Sequence, residues 1–352
     1  MSFPFIPKIA GWELTRRCNY RCIHCGTSCG APREDEMTLD EAFQMIDDLG
    51  ELGCEILTLS GGEPLMHPHW DKFAVRLKER GITPFMITNG FYVKENLDRI
   101  MATPLRRVGL SIDGPQDVHN HIRQRPDAYQ IAMEAARLLH ERGVKVGAVS
   151  HASRYNLDHL EEMYREFLKI PFDFWQIQIT FLSGRMKEHE SGMLRPEELP
   201  IVARFVEEKR LEKKMMVCAG DNLGYYSNFD ICDTPWKGCH AGRWVIGIEA
   251  DGHIKGCLSL PEYFREDSVR NRSLKEIWRD RNLFKLNRYF NPEDMSGSCK
   301  GCLKASSCRG GCKVTAYCAT GNIYDNPYCL YRVERESALR VAREAAEAHV
   351  AE

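Results

Sequence analysis

Three cysteines near the start of the chain, Cys18, Cys22 and Cys25, place three thiols within eight residues at the spacing Cys-x3-Cys-x2-Cys. Thiolates this close in sequence bind soft metals, as a single tetrahedral zinc ion or as an iron–sulfur cluster. A cubane has four irons, and cysteine normally fills all four positions. Three ligands leave one iron open to another molecule. Cys29 extends the series by a further x3, but a fourth protein ligand would close that open iron, so Cys29 is read as a bystander. A second group lies beyond residue 230: Cys232, Cys239, Cys257, Cys299, Cys302, Cys308, Cys312, Cys318 and Cys329. Only Cys54 and Cys218 fall between, so the fifteen cysteines form two poles around a cysteine-poor middle.

The rest of the composition is ordinary. The 352 residues are 43% apolar and 28% charged, with a formal net charge of −2, enough for one large domain and a smaller one. That balance gives no reason to expect a nucleic acid or a membrane surface as partner. No apolar run approaches the roughly 20 residues of a membrane span, and residues 1–12 lack the pattern of a signal peptide. The expected compartment is the cytoplasm, where thiols stay reduced, so clustered cysteines point to metal rather than to disulfides.

These residues must be positioned by the elements around them. Apolar runs at 8–14, 55–59, 82–88, 107–112, 144–150 and 175–181 read as strands. Amphipathic helical patterns follow each, opening at 38 with the capping box of Thr38 and Glu41 and ending with 196–213. Six strand-then-helix units imply a parallel sheet covered by helices, as an open sheet or an incomplete barrel. In either, ligands gather at the C-terminal strand ends. The Cys18 loop, Gly61-Gly62-Glu63, Asn89-Gly90, Ser111-Ile112-Asp113 and Ser150 all fall there. After residue 230 the units become short. Residues 244–256 read as a hairpin, Ser273 and Glu276 cap a brief helix, and 291–326 has too few large apolar residues to fold without metal.

With the rim in view, CNYRCIHC resembles the signature of radical S-adenosylmethionine enzymes. The resemblance implies a partial (β/α)6 TIM-like barrel with a small cysteine-rich C-terminal domain, and a 4Fe–4S cluster on Cys18, Cys22 and Cys25. In that family S-adenosylmethionine chelates the open iron, and one electron cleaves it to methionine and a 5′-deoxyadenosyl radical that abstracts hydrogen from substrate. His24 fills the position next to the adenine. Gly61-Gly62-Glu63-Pro64 resembles the motif that binds the methionine amino group. Asn89, Ser111, Asp113 and Arg123 match positions that contact ribose or the methionine carboxylate; on the residues alone each is equally a cap or turn. The string Cys299-x2-Cys302-x5-Cys308-x3-Cys312 with Cys329, preceded by Cys239-x12-Gly252-x4-Cys257, resembles the SPASM extension. That implies two auxiliary 4Fe–4S clusters, an inner one on Cys232, Cys239, Cys257 and Cys312 and an outer one on Cys299, Cys302, Cys308 and Cys329, three clusters in all. Cys318 is left as a free thiol. The competing metal is structural zinc, since paired CxxC also suits zinc ribbons. The corresponding domains are 1–215, 216–335 and a helix at 336–352.

SPASM extensions occur on enzymes that modify peptides and proteins, so the leading expectation is an oxidative cross-link or related maturation of a ribosomally made peptide. Only about ten residues precede the first strand, so a separate recognition protein or the barrel itself would have to bind that peptide. A flavodoxin- or ferredoxin-type protein would supply electrons. Formylglycine formation on a sulfatase is the first alternative, although Leu258 stands where that family has an aspartate base. Oxidation of a small molecule such as a tetrapyrrole or a sugar is the second. A non-catalytic electron carrier or zinc-binding module is the third, and it would not need the Gly61-Gly62-Glu63 rim. Gln176 and Gln178 on one strand face, and the patch of Tyr225, Tyr226 and Phe229, read equally as substrate walls and as packing.

Overall fold

The computed structural model describes residues 4–170, 172–231 and 237–350. Ten strands form one sheet: β1 (Ile9–Glu13), β2 (Ile56–Ser60), β3 (Thr83–Thr88), β4 (Arg107–Ser111), β5 (Lys145–Ala152), β6 (Phe174–Ile179), β7 (Met216–Ala219), β8 (Val245–Ile248), β9 (His253–Lys255) and β10 (Arg265–Ser268). Their order is β10-β9-β8-β1-β2-β3-β4-β5-β6-β7. Every neighbouring pair from β1 to β7 is parallel, and seven helices connect them: α1 (Leu39–Glu51), α2 (Trp70–Glu79), α3 (Val93–Met101), α4 (Gln116–Arg123), α5 (Ala128–Glu141), α6 (Leu160–Lys169) and α7 (Leu199–Glu212). This is the partial β/α barrel expected from the alternating pattern, with β7 added at its edge.

Local sequence explains the elements. Thr38 and Glu41 close the capping box that opens α1, each satisfying a backbone N–H of the other. Ala42, Met45, Ile46 and Leu49 then carry one buried stripe onto the sheet. Strands near the middle of the sheet are buried on both faces, as helices on either side require. Trp12, Trp70 and Trp175 are almost wholly enclosed in this core.

Several features differ from the sequence expectation. Helix α4, between β4 and α5, was not expected; of its eight residues only Val118 and Ile122 are apolar, too few to mark a helix in the sequence. The hairpin at 244–256 is present as antiparallel β8 and β9, but β8 also pairs in parallel with β1, from Ile9 opposite Val245 to Trp12 opposite Ile248. The sheet therefore continues across the position expected as a boundary, and the cysteine-rich part is hydrogen-bonded into the barrel's first strand. The C-terminal helix begins at Leu330, ahead of the expected 336.

Buried ions reinforce this joint. Arg33, on the cysteine loop, pairs with Glu13 at 2.8 Å, Glu249 at 3.2 Å and Glu262 at 2.8 Å. Lys255 and Arg265 complete the neutralisation of Glu249 at 2.9 and 2.5 Å. Glu249, Asp251 and His253 lie close enough to suggest a cation site, yet these guanidinium and ammonium groups already supply the positive charge. Arg33→Met would leave Glu13 buried without a cation, at a cost of about 3–5 kcal/mol. A fall in thermal unfolding temperature checks this, and Arg33→Lys should recover less than half of it because one ammonium cannot serve three carboxylates.

Candidate active site

The loop between β1 and α1 has almost no regular structure, so its shape depends on specific ties. Cys18 N–H donates to Gly30 O, and Gly30 N–H to Arg16 O, closing the loop at its base. One oxygen of Glu36 accepts from Thr15 Oγ1, Arg16 N and Arg33 N at 2.8, 2.9 and 3.1 Å. From the opposite side Arg185 donates to the carbonyls of Cys22 and Cys29 at 2.8 and 2.9 Å. Ser183 Oγ donates to Gly26 O. Arg185 was not anticipated, because a single arginine after the sixth strand carries no motif.

The glycine pair after β2 owes its identity to this loop. Gly61 has φ +128°, and a Cβ there would collide with the Thr15 carbonyl; at Gly62 it would collide with the Arg17 carbonyl. Gly62 N–H and Glu63 N–H donate to those same two carbonyls at 2.7 and 2.9 Å. Bare backbone therefore docks the cysteine loop onto β2, in addition to any approach by a ligand.

These ties put Cys18, Cys22, Cys25 and Cys29 around one cavity at the C-terminal strand ends. Of the nine residues expected to hold S-adenosylmethionine, His24, Gly61, Gly62, Asn89, Ser111 and Arg123 line it. Glu63, Pro64 and Asp113 do not line it and are buried. Glu63 accepts from Leu65 N, Thr88 Oγ1 and Asn89 N at 3.1, 2.7 and 2.8 Å. It thereby fixes Thr88 and Asn89, which do reach the cavity. Asp113 binds Arg123 at 2.5 Å and accepts from His151 N; Asn156 grips the Asp113 carbonyl at 2.7 Å and His119 accepts from the Asp113 N–H at 3.0 Å. Asp113 is thus the anchor that points Arg123 at the cavity, where Arg123 also meets Cys22 Sγ at 3.7 Å.

The electrostatics favour a metal at the three thiols. Burial pushes the Cys18 thiol up to about 12 and raises Cys22, so neither ionises readily without a positive partner. Cys25 is lowered to about 4 by a hydrogen bond from Cys29, with help from Thr27 and the charge of Arg185. A cluster iron would supply the missing positive charge to Cys18 and Cys22. The donor set is therefore the right kind for a cubane, and Arg123 Nε and His24 Nδ1 remain buried beside it without hydrogen-bond partners.

The C-terminal cysteines fall into two further groups. Cys239, Cys257 and Cys312 line one cavity, with Gln176, Gln178, Phe181, Asp221, Asn222, Tyr225 and His240. Cys232, expected with them, lies outside the described residues. Cys299, Cys302, Cys308 and Cys329 line another. Backbone N–H groups of Asn326, Lys304 and Gly311 donate to Cys299, Cys302 and Cys308 Sγ at 3.4, 3.4 and 3.2 Å. Donors of that kind tune cluster sulfurs. Between Cys308 and Cys312, Arg309, Gly310 and Gly311 all have positive φ, which is how the chain turns from one group to the other. Cys318 lines neither cavity. Phe181 borders both the N-terminal cavity and that of Cys239, so the two adjoin.

The three-thiol loop and its glycine rim lie within a radical SAM domain. Residues 12–167 match the radical SAM superfamily model. Over its length the chain is similar to the AdoMet-dependent heme synthase of Methanosarcina barkeri, 27% identical over 93% of this chain and 97% of that one. It is also similar to the pre-heme d1 synthase of Dinoroseobacter shibae, 26% identical over 90% of this chain and 86% of that one. Among solved structures, SuiB of Streptococcus suis, seen with S-adenosylmethionine, shares the fold at a TM-score of 0.73 and 16% identity, covering 92% of this chain and 76% of SuiB. No helix among the described residues is long and apolar enough to cross a membrane.

Two outcomes follow from the geometry. Cys29→Ser should keep the N-terminal iron and its S-adenosylmethionine-sensitive EPR signal, whereas Cys25→Ser should lose both. The second concerns Glu63, whose carboxyl burial pushes from 4.5 up to about 7 despite its three hydrogen bonds. The fold thus favours the neutral acid: below pH 4.5 the group is neutral folded and unfolded, and stability falls as pH rises toward 7, by about 3 kcal/mol. The ionised form is the one that accepts all three donors and holds Asn89. Affinity for S-adenosylmethionine, read from the EPR shift, should therefore decline below about pH 7, and be low and flat with pH in Glu63→Gln.

Proposed function

We propose that this chain carries out radical oxidation of a tetrapyrrole side chain, using S-adenosylmethionine and three 4Fe–4S clusters. The observation that carries the substrate class is similarity over nine-tenths of the chain to two enzymes named for haem-type products. It favours the small-molecule alternative over the peptide expected first from the SPASM resemblance, since the likeness to SuiB, at 16% identity, speaks only for the fold.

The inner cluster would take up the thiol side of the cavity lined by Cys239, Cys257 and Cys312; such a substrate would lie on its Phe181 side, which adjoins the N-terminal cavity. Phe181, Tyr225, Val245, Leu260 and Val314 offer apolar and aromatic walls for a flat macrocycle, and Gln176, Gln178, Asn222 and Asp221 offer polar contacts to its side chains. Asn222 is locked by two hydrogen bonds to Ile179, at 3.1 and 2.6 Å, so the rim of β6 is preorganised. Burial raises the Asp221 carboxyl, favouring its neutral form toward a substrate carboxylate.

Cys18, Cys22 and Cys25 would hold the N-terminal cluster; Cys232, Cys239, Cys257 and Cys312 the inner auxiliary cluster; Cys299, Cys302, Cys308 and Cys329 the outer one. Bound there, cofactor and clusters supply a hydrogen-abstracting radical and a sink for one electron. The chain's own part is to orient the cofactor with Asn89, Ser111 and Arg123, to hold the Arg123 guanidinium through Asp113, and to keep water from the junction at Phe181. A flavodoxin- or ferredoxin-type carrier would exchange electrons, and no separate peptide-recognition protein is needed.

The test is anaerobic incubation of reconstituted, reduced protein with S-adenosylmethionine and an iron coproporphyrin deuterated on its propionate chains. Deuterium should appear in 5′-deoxyadenosine as the tetrapyrrole is oxidised. Cleavage without deuterium transfer from this or any related tetrapyrrole, together with modification of a peptide, would reverse the assignment.

A further inference from the structure

Lys313 follows directly on Cys312, and its side chain is among the largest in the molecule to be wholly enclosed, at 1% exposed. Its ammonium donates to the carbonyls of Arg309 and, at 3.1 Å, Ile323. It lies over the rings of Tyr324 and Phe290 at 4.3 and 5.4 Å. Among the described residues no carboxylate pairs with it. Burying a cation without a counter-ion is expensive, so the balancing charge must come from elsewhere.

Burial accordingly lowers Lys313, to about 8, and what opposes that is the cysteine sulfur of both sets: Cys239 and Cys312 from one, Cys308 and Cys299 from the other. Lys313 lines the cavity of Cys239, Cys257 and Cys312. Its ammonium also lies against Gly310, which borders the cavity of Cys299, Cys302, Cys308 and Cys329. One enclosed cation stands in the partition between both sets.

We propose that Lys313 is a positioning residue for charge, raising the reduction potentials of both auxiliary clusters together. This rests on the reading that each cysteine set holds a 4Fe–4S cluster. A cubane with four thiolates is anionic, and one-electron reduction adds a further negative charge, so a fixed cation nearby favours the reduced state at both sites. Each becomes a better acceptor for the single electron that substrate gives up. A ferredoxin- or flavodoxin-type carrier then takes that electron away, returning the clusters to their oxidised state.

The experiment is an EPR-monitored redox titration of the reconstituted full chain and two variants, preceded by iron and sulfide analysis. Lys313→Met keeps the length of the side chain and removes the charge; Lys313→Arg keeps the charge. In Lys313→Met both auxiliary midpoints should fall by at least a tenfold change in the reduction equilibrium, about 59 mV for a one-electron couple. The N-terminal cluster and its response to S-adenosylmethionine should not move, and Lys313→Arg should stay near the native midpoints. If Lys313→Met fails to retain auxiliary iron while Lys313→Arg retains it with near-native midpoints, the requirement for charge stands. Unshifted midpoints in Lys313→Met, or equal losses in both variants, overturn the proposal. Native protein without auxiliary iron overturns the cluster reading and this proposal with it, and the iron analysis shows that before any titration.

Discussion

The parallel pairing of β1 with β2 on one side and β8 on the other is the constraint on which the rest depends. β1 delivers the chain directly into the cysteine loop. Its partner β2 ends at Gly61-Gly62, whose backbone is pressed against the same loop. Its other partner, β8, carries the strand-and-cysteine segment that contains Cys257. The separation between the N-terminal cavity and that of Cys239, Cys257 and Cys312 is therefore set by a hydrogen-bonded ladder rather than by a linker. Electron transfer is steeply sensitive to distance, and a ladder with Arg33 riveting its end holds distance better than a docked domain does.

Charge placement follows the same logic. The chain is nearly neutral overall, yet several of its buried and half-buried cations lie beside the cysteines or at the joint between the two parts. Arg123 and Arg185 face the N-terminal thiols, Lys313 faces both C-terminal sets, and Arg33 gathers the carboxylates that join the two parts. Anionic clusters in a low-dielectric interior need such partners, because water cannot reach them to screen the charge. Where the cation is held by a carboxylate, as Arg123 is by Asp113, its position is fixed and its charge partly cancelled. Where it is held by carbonyls and ring faces, as Lys313 is, no carboxylate among the described residues cancels its charge.

Much of this was legible in the residues. Thr38 and Glu41 announced α1 and the apolar runs marked β1 to β6; the cysteine string itself divides, Cys299, Cys302 and Cys308 lining one cavity and Cys312 another, which spacing alone does not show. The helix and strand signals are local: periodicity and caps survive without knowledge of the fold. What escaped notice was non-local or polar. Helix α4 hid because its residues are mostly charged or amide-bearing. The β8–β1 pairing joins segments some 235 positions apart in sequence, and no pattern in either strand names its partner. Asp113 and Glu63 were recognised as important, but their burial away from the lining depends on which donors surround them in three dimensions. Arg185 and Lys313 carry no motif at all; only their neighbours give them meaning.

The substrate question turns on a distinction between frame and lining. A barrel that shares its frame with a peptide-modifying enzyme need not share its substrate, because the frame fixes where hydrogen abstraction occurs and the lining decides what is presented there. Here the lining is contributed by four separate stretches: β6 and its following loop, the Asp221–Tyr225 turn, the segment from Cys239 to Leu260, and Cys312–Val314. An extended peptide would call on backbone donors and acceptors along an open strand edge. This wall instead pairs enclosed rings and aliphatic groups with amides whose positions are already fixed, as Asn222 is against Ile179. Such a surface suits a rigid, flat, largely apolar molecule that brings its own polar groups at its periphery. The tetrapyrrole proposed above is a molecule of that kind, and its stiffness means that little conformational entropy would be lost on binding.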